Sequence, residues 1–471
     1  MSGTASASRS GQTGRPADLP IRVRRARPAD TRAVLDFTRA TWDGWDYLPS
    51  VWQAWLEAPD GVLLVALPDA PHQLDLFGRP LSPDRPIGVA RVAMLSEREA
   101  WLEGLRVDPG VRTRGVARLL HGAALAWARA QGARWVRYAT GEDNEGSHRL
   151  GAHHGFRLLR PWRSYQPPSE DDSDDADGIV EDGEQTIYDV AADDDQFADL
   201  ADEPAGEVPE DVEARATGIE LPETELAGHG RIAGEGAEPP LPEAARPGAP
   251  AATPADARRR LHRAGLALDP HSPPAVADAW WERLAADGTF RAGDRLCEAR
   301  SWAFQELTRE RFEAYVRAGE VLVSGEAPPA MPGSGAASPG ASRAGTAGAG
   351  NPHERGGSWG LLVLPLQGTR PDGDRPWAAV AAGDADAVLR LAAAARDALG
   401  RPVRLRIPDG SPIVVERADA FTAAGFPPSS GTLHVLAREL TADAPIDLGP
   451  AGLLTLEEPP RRVAVPAEER R

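Results

Sequence analysis

Apolar and polar residues alternate in IRVRRA from Ile21, which predicts a strand, and PADTRAVLDFTRATW (28–42) follows with Val34, Leu35, Phe37 and Thr38 on one helical face. Pro28 opens that helix where a missing N–H costs nothing. In SVWQAWLEA (50–58), Val51, Trp52, Trp55 and Leu56 recur at helix spacing. Strands are predicted over GVLLVAL (61–67), IGVARVAML (87–95) and AWLEGLRV (100–107). A long helix from Arg114 to Gln131, a strand WVRYAT (135–140), a helix near Ser147–His154 and a last strand FRLLRPW (156–162) complete the first region.

A weaker version of the same order returns after Asp256. LCEARSW, VLVSG, WGLLVLPL, WAAVAAG, VRLRI and TLHVLAREL read as strands. TRERFEAYVRAG, ADAVLRLAAAARDAL and VVERADAFTAAG read as helices. The chain therefore divides into a tail (1–19), a first α/β domain (20–166), a linker (167–253), a second domain (254–445) interrupted by a Gly/Ala/Ser/Pro insert (327–352), and a tail (446–471). TIYDV, Thr186 to Val190, is a candidate lone strand within the linker.

Composition changes the picture in three places. The 48 Gly and 44 Pro of the 471 residues are too many for one compact body and agree with long linkers. The net charge of −19 is concentrated: Glu170 to Glu225 holds roughly two dozen carboxylates against Arg215 alone. Without that block the chain is near neutral, so nothing resembles a basic nucleic-acid footprint. The basic residues are all arginine, which with abundant Ala, Gly and Pro suggests a GC-rich bacterial genome. No apolar run approaches bilayer length and the first twenty residues lack a signal-peptide core, so a soluble cytoplasmic protein is expected. The single Cys297 can make neither an internal disulfide nor a zinc site alone. We expect it to be a small buried residue.

The chemistry concentrates after AWLEGLRV. In DPGVRTRGVARLL, Gly115 and Ala117 stand where a strand hands over to a helix, whose first N–H groups and dipole favour an anion. Arg112, Arg114 and Arg118 add positive charge suited to phosphate oxygens. The bland alternative is a tight turn with solvated arginines.

With its neighbours this loop resembles the acyl-CoA pyrophosphate loop of the GNAT superfamily of N-acetyltransferases. The carriers are Arg112-x-x-Gly115-x-Ala117, Glu103 on the preceding strand, then Asn144, Ser147 and the pair Gly155-Phe156, over about Ile21–Tyr165. The resemblance implies an α/β (α+β) fold with a mixed, mostly antiparallel sheet flanked by helices, and acetyl-CoA as co-substrate with no metal. It implies that Leu105, Arg106 and Val107 pair with the pantetheine arm, and that Arg112, Thr113, Arg114, Gly115, Val116, Ala117 and Arg118 hold the pyrophosphate. Asn144 and Ser147 would lie by the pantetheine and the sulfur, and Glu103 would take a proton from the acceptor amine. The plain alternative for Glu103 is a strand carboxylate paired with Arg91.

In one place the sequence departs from the family. Many members carry a tyrosine, the thiolate's acid, seven residues after the asparagine; here Gly151 stands there. His148, His153, His154 and Tyr165 are possible replacements, Tyr165 being chemically closest. The histidines lack the carboxylate or Cys pattern of a metal site. The acceptor pocket is expected from TWDGWDYLPSVWQAW, with Trp42, Trp45, Asp46 and Tyr47 facing the cleft and Trp52 and Trp55 in the core. DYLP, the following W-x-x-W-L helix, EGLRV and RGVA are similar to the histidine N-acetyltransferase group, which acetylates the α-amino group of a free amino acid.

The second domain resembles a degenerate copy of the same fold, with Phe421 and Gly425-Phe426 echoing the end of the first. Its handover, GDADAVLRL, puts two aspartates where phosphates would sit, so it is expected to bind no CoA. The function expected is an N-acetyltransferase acting on a small-molecule primary amine. An acyl-CoA sensor and a protein N-acetyltransferase are the alternatives.

Overall fold

The computed structural model describes residues 20–39, 46–70, 72–112, 115–167, 253–300, 302–326, 358–366 and 376–448. The expected tail 1–19, nearly all of the linker with its TIYDV segment, the Gly/Ala insert and the last residues from 449 lie outside them, as do Trp42, Trp45, Thr113 and Arg114.

The first stretch contains β1 (Ile21–Arg25), α1 (Thr31–Thr38), α2 (Leu48–Glu57), β2 (Gly61–Pro68), β3 (Gly88–Met94), β4 (Glu99–Val107), α3 (Val116–Ala130), β5 (Trp135–Gly141), α4 (Glu145–His153) and β6 (Arg157–Tyr165). The second contains α5 (Pro254–Arg263), α6 (Pro274–Ala286), α7 (Gly288–Ala292), β7 (Leu296–Arg300), β8 (Ala303–Glu306), α8 (Arg309–Ala318), β9 (Val321–Ser324), β10 (Gly360–Val363), β11 (Trp377–Ala378), β12 (Val380–Gly383), α9 (Ala385–Leu399), β13 (Arg404–Pro408), α10 (Pro412–Val415), α11 (Ala418–Ala423) and β14 (Leu433–Glu439). Helices α5–α7 are additions to the pattern read from sequence, and the helix expected over VVERADAFTAAG is the two short pieces α10 and α11.

The fold is mixed α/β with a large, mostly antiparallel sheet flanked by helices, as the sequence resemblance implies. β2 shows why both faces are covered. Its Val62, Leu64 and Ala66 join the core under α3, while Leu63, Val65 and Leu67 join Val34, Phe37, Leu48 and Trp52 of α1 and α2. Period-two alternation sends neighbouring side chains to opposite faces, so a strand covered on both sides is apolar throughout.

The nine-stranded sheet runs β1-β2-β3-β4-β5-β14-β6-β13-β11, with strands from both stretches interleaved. β14 lies antiparallel between β5 and β6, with Leu436 opposite Tyr138 on one side and Leu158 on the other. β6 in turn lies antiparallel between β14 and β13. Each stretch's last strand is thus inserted next to the other's preceding strand. Parallel pairs flank this centre on both sides, β4 with β5 and β11 with β13. A three-stranded sheet β12-β10-β9 and the hairpin β7–β8 complete the strands described.

Candidate active site

Two features of β4 open the site. Its parallel pairing to β5 covers only Glu99–Trp101 against Trp135–Arg137, so the strands part from Leu102 onward. On its other side, Val89 faces Arg106 and Arg91 faces Glu103, leaving Gly104 and Leu105 against Ala90 in a bulge. Gly104 has φ +68°, and a Cβ there would lie 2.6 Å from the Trp55 ring, so only glycine fits. From Leu102 to Val107 the β5-facing edge of β4 therefore offers backbone groups to something other than a strand.

The chain leaves β4 through a 3₁₀ turn, Pro109–Val111, where the Asp108 carboxylate accepts from the Gly110 N–H at 2.9 Å. Gly115 takes the left-handed conformation (φ 83°) and α3 begins at Val116. The start of a helix carries the positive end of its dipole, which here lies at Val116. This turn sits at the end of β4 where the gap to β5 is open. An anion fits there.

Across the gap, Asn144 caps α4, its Oδ1 accepting from the Ser147 N–H at 2.9 Å. Both residues are buried, and Asn144 Nδ2 and Ser147 Oγ have no hydrogen-bond partner among the described residues. Buried polar groups without partners cost free energy, so they mark where a ligand or water belongs. They fit the amides and hydroxyl of a pantetheine arm. The Tyr138 hydroxyl donates to the Ser147 carbonyl at 2.9 Å and sits where a Cβ on Gly151 would go. Its burial holds the phenol above its ordinary pKa.

On the α2 face of β3 and β4, charged and aromatic side chains converge. The Glu103 carboxylate is engaged by the Arg91 guanidinium, whose Nη2 also donates to Asp60 at 2.7 Å. Arg91 lies over the Trp55 ring, 5.1 Å from its centre. Asp46 grips Arg106 with two hydrogen bonds, at 2.9 and 3.2 Å, and both side chains are 1% exposed. Arg106 in turn lies over Tyr47, which meets Trp55 edge-on. Trp52 belongs to the core, its Nε1 donating to Thr31.

The structure thus brings Glu103, Asp46, Tyr47 and Arg106 together on one side of the parting, and Asn144 and Ser147 on the other. Trp55 packs against the core that holds Trp52, as its spacing implies, and also joins this aromatic wall; the bulge at Gly104 leaves room for its ring. Tyr165 is not brought there. It sits on β6 in the second core, its ring 4.8 Å from that of Phe421, and its phenol is pushed up to about 12 by burial and by Asp409.

The histidines divide in the same way. His148 Nε2 meets the Gly141 carbonyl at 3.1 Å and its ring contacts His434 of β14. His153 meets Asp447 at 2.7 Å. His154 lies under α3, Nε2 on the Arg118 carbonyl at 3.1 Å, and burial first, then His153, lowers its pKa to about 4. Buried His121 stands well below the usual range for the same first reason, its ring stacked on Phe156. Among the described residues no cluster of His, Cys, Asp and Glu is arranged to hold a metal. No helix among them is long and apolar enough to cross a membrane.

At the corresponding handover in the second stretch, Asp384 caps α9. Its Oδ2 accepts from the Trp359 N–H at 2.7 Å, and Asp386 pairs with Arg417 at 2.8 and 3.0 Å. That helix start is already supplied with negative charge.

Residues 34–156 match the acetyltransferase (GNAT) family. No curated protein matches the chain. Among solved structures, Ard1 from Thermoplasma volcanium aligns at 20% identity over 30% of this chain and 86% of its own, with a TM-score of 0.26. Arabidopsis thaliana NAA60 in complex with acetyl-CoA aligns at 19% identity over 30% and 86%, TM-score 0.25. A GNAT-family acetyltransferase from Staphylococcus aureus Mu50 aligns at 13% over 30% and 86%, TM-score 0.23.

Proposed function

We propose, from the GNAT acetyltransferase domain that residues 34–156 carry, that this chain transfers the acetyl group of acetyl-CoA to a primary amine of a small molecule by direct attack. The observation that carries this reading is the parting of β4 from β5 at Leu102, with the start of α3 at its open end. In this reading the backbone of Leu105, Arg106 and Val107 pairs with the pantetheine arm. The turn from Arg112 through Thr113, Arg114, Gly115, Val116 and Ala117 to Arg118 holds the pyrophosphate. Asn144 and Ser147 supply the polar contacts near the sulfur.

The amine nitrogen attacks the thioester carbon, the N–C bond forms, and the C–S bond breaks to release CoA thiolate. Glu103 takes the proton the nitrogen sheds, through water, and the thiolate gains its own from solvent. Tyr47 and Trp55 wall the acceptor pocket. Asp46 acts by fixing Arg106. The resemblance to the histidine N-acetyltransferase group favours a free amino acid as acceptor class. Tyr165, an alternative acid by its chemistry, stands in the second core and has no part in this reading.

We read the second stretch as a degenerate copy of the same fold. Its support is the repeated order of elements and the mutual insertion of β6 and β14. Asp384 and Asp386 at the start of α9 support its binding no CoA. Its work in this reading is to complete the sheet beside β5.

The engagement of Glu103 by Arg91 favours a second reading, an acyl-CoA sensor without turnover. Free-thiol release from acetyl-CoA by the purified chain, against amino acids including histidine, polyamines and small amines, separates the two. Amine-dependent release is the expected result. Binding of acetyl-CoA with silence across the panel would favour the sensor, or a protein acceptor absent from the panel.

A further inference from the structure

After β14 the chain turns back along α3. Arg129 Nη1 donates to the Ala444 carbonyl at 2.8 Å, Arg438 donates to the Pro445 carbonyl, and Ile446 packs against the first core. At Gly122 the segment comes so close that a Cβ would collide with the Asp447 carbonyl oxygen. Held in this notch, the Asp447 carboxylate reaches His153 Nε2 at 2.7 Å and Arg118 Nε at 3.7 Å. A carboxylate only accepts, so the proton lies on His153 Nε2.

Arg118 is the third residue of α3, in the turn assigned above to the pyrophosphate. The segment from Thr441 to Leu448 therefore sets a negative charge on a cation that an incoming phosphate would use. We infer that this segment is an acidic strap whose Asp447 competes with the phosphates of acyl-CoA for Arg118, so that cofactor affinity depends on whether the strap is docked. The inference rests on the acyl-CoA reading of the site. The two side chains are 29% and 41% exposed, which keeps their pairing weak enough for a ligand to displace. Coupling between sites is reciprocal: a docked strap that weakens acyl-CoA binding is itself loosened by acyl-CoA to the same degree.

The test is calorimetric titration of the full chain with acetyl-CoA, as wild type, Asp447→Asn and Gly122→Ala. It is paired with hydrogen exchange of residues 441–448. Asp447→Asn removes the charge with almost no change of shape, and Gly122→Ala expels the strap by collision. Both variants are expected to bind acetyl-CoA more tightly, on the order of five-fold, and acetyl-CoA should speed exchange across 441–448 in the wild type. Repeating the titration with dephospho-CoA shows whether the 3′-phosphate or the pyrophosphate feels Asp447; a gain confined to CoA marks the former, a gain with both the latter. Unchanged or weaker binding by Asp447→Asn, beside a wild type that binds, overturns the strap, as does exchange that acetyl-CoA leaves unmoved. If neither wild type nor variant binds acetyl-CoA, the acyl-CoA reading fails and takes the strap with it. Should Gly122→Ala not fold, Asp447→Asn decides alone.

Discussion

The hydroxyl of Tyr138 occupies the space that a side chain on Gly151 would need. Tyr138 comes up from β5, donates to the Ser147 carbonyl, and fills the gap between sheet and α4 beside Leu436 of β14. Packing thus explains the glycine at position 151.

Gly151→Ala should therefore destabilise the protein by about 1–3 kcal/mol, the usual cost of overpacking. Adding Tyr138→Phe frees the space of the hydroxyl, so the double variant should be less destabilised than the sum of the singles. Urea denaturation of the four proteins measures that coupling. Strict additivity would mean that the hydroxyl does not set the approach of α4.

Asp46 and Arg106 are both buried, and each satisfies the other. Removing one partner leaves a buried charge, so Asp46→Ala should cost about 3–5 kcal/mol. Replacing both by apolar residues of similar volume should recover most of that loss. A shift of the urea midpoint confined to the single variant is the expected pattern. Equal losses in single and double variants would show that packing alone matters there.

His154 should make stability fall in acid. Its folded pKa is about 4 against an ordinary 6.5, so below 6.5 the unfolded chain binds a proton that the folded chain refuses. Stability from this group is full above pH 6.5 and is lost as pH falls toward 4, by on the order of 3 kcal/mol. His121, lowered for the same reason, adds a slope of the same sign. Denaturation curves between pH 7 and 4 should flatten in His154→Gln, and an unchanged slope would remove His154 from the account.

Cys297 is fully buried and its thiol is pushed up to about 12, chiefly by burial. Only the thiolate reacts. A disulfide reagent at pH 8 should leave the native chain unmodified and label it once after denaturation. Rapid labelling of the folded protein would place Cys297 at an accessible surface.

Much of the first stretch could be read directly from pattern. β1 to β6 and α1 to α4 follow alternation and helical periodicity, with ends shifted by up to four residues, as at α1 (Thr31–Thr38 against 28–42) and at Val116, where Gly115 sets the start of α3. The turn proposed to hold phosphate stands out in the sequence because its chemistry is local: one glycine, one small residue and several arginines in a single loop. Helices α5 and α6 left signals that went unread, Pro254 and Pro274 in their first turns. The place of β14 was not legible. Its alternation marks Leu433–Glu439 as a strand, but pairing Leu436 with Tyr138 depends on partners almost 300 residues away that no local pattern encodes. The engagement of Glu103 by Arg91 depends likewise on cross-strand register, and its alternation gave only the possibility.

The central claim is that the first turn of α3, at the open end of β4 and β5, receives the phosphates of acetyl-CoA. Ala117→Glu tests it: the residue is only partly buried against the first core, and a carboxylate in a helix's first turn favours the helix while repelling a phosphate. The variant should still unfold cooperatively, and its affinity for acetyl-CoA in calorimetric titration should fall by at least about ten-fold, a loss of roughly 1.4 kcal/mol. A folded Ala117→Glu variant that binds acetyl-CoA as tightly as the wild type would contradict the account.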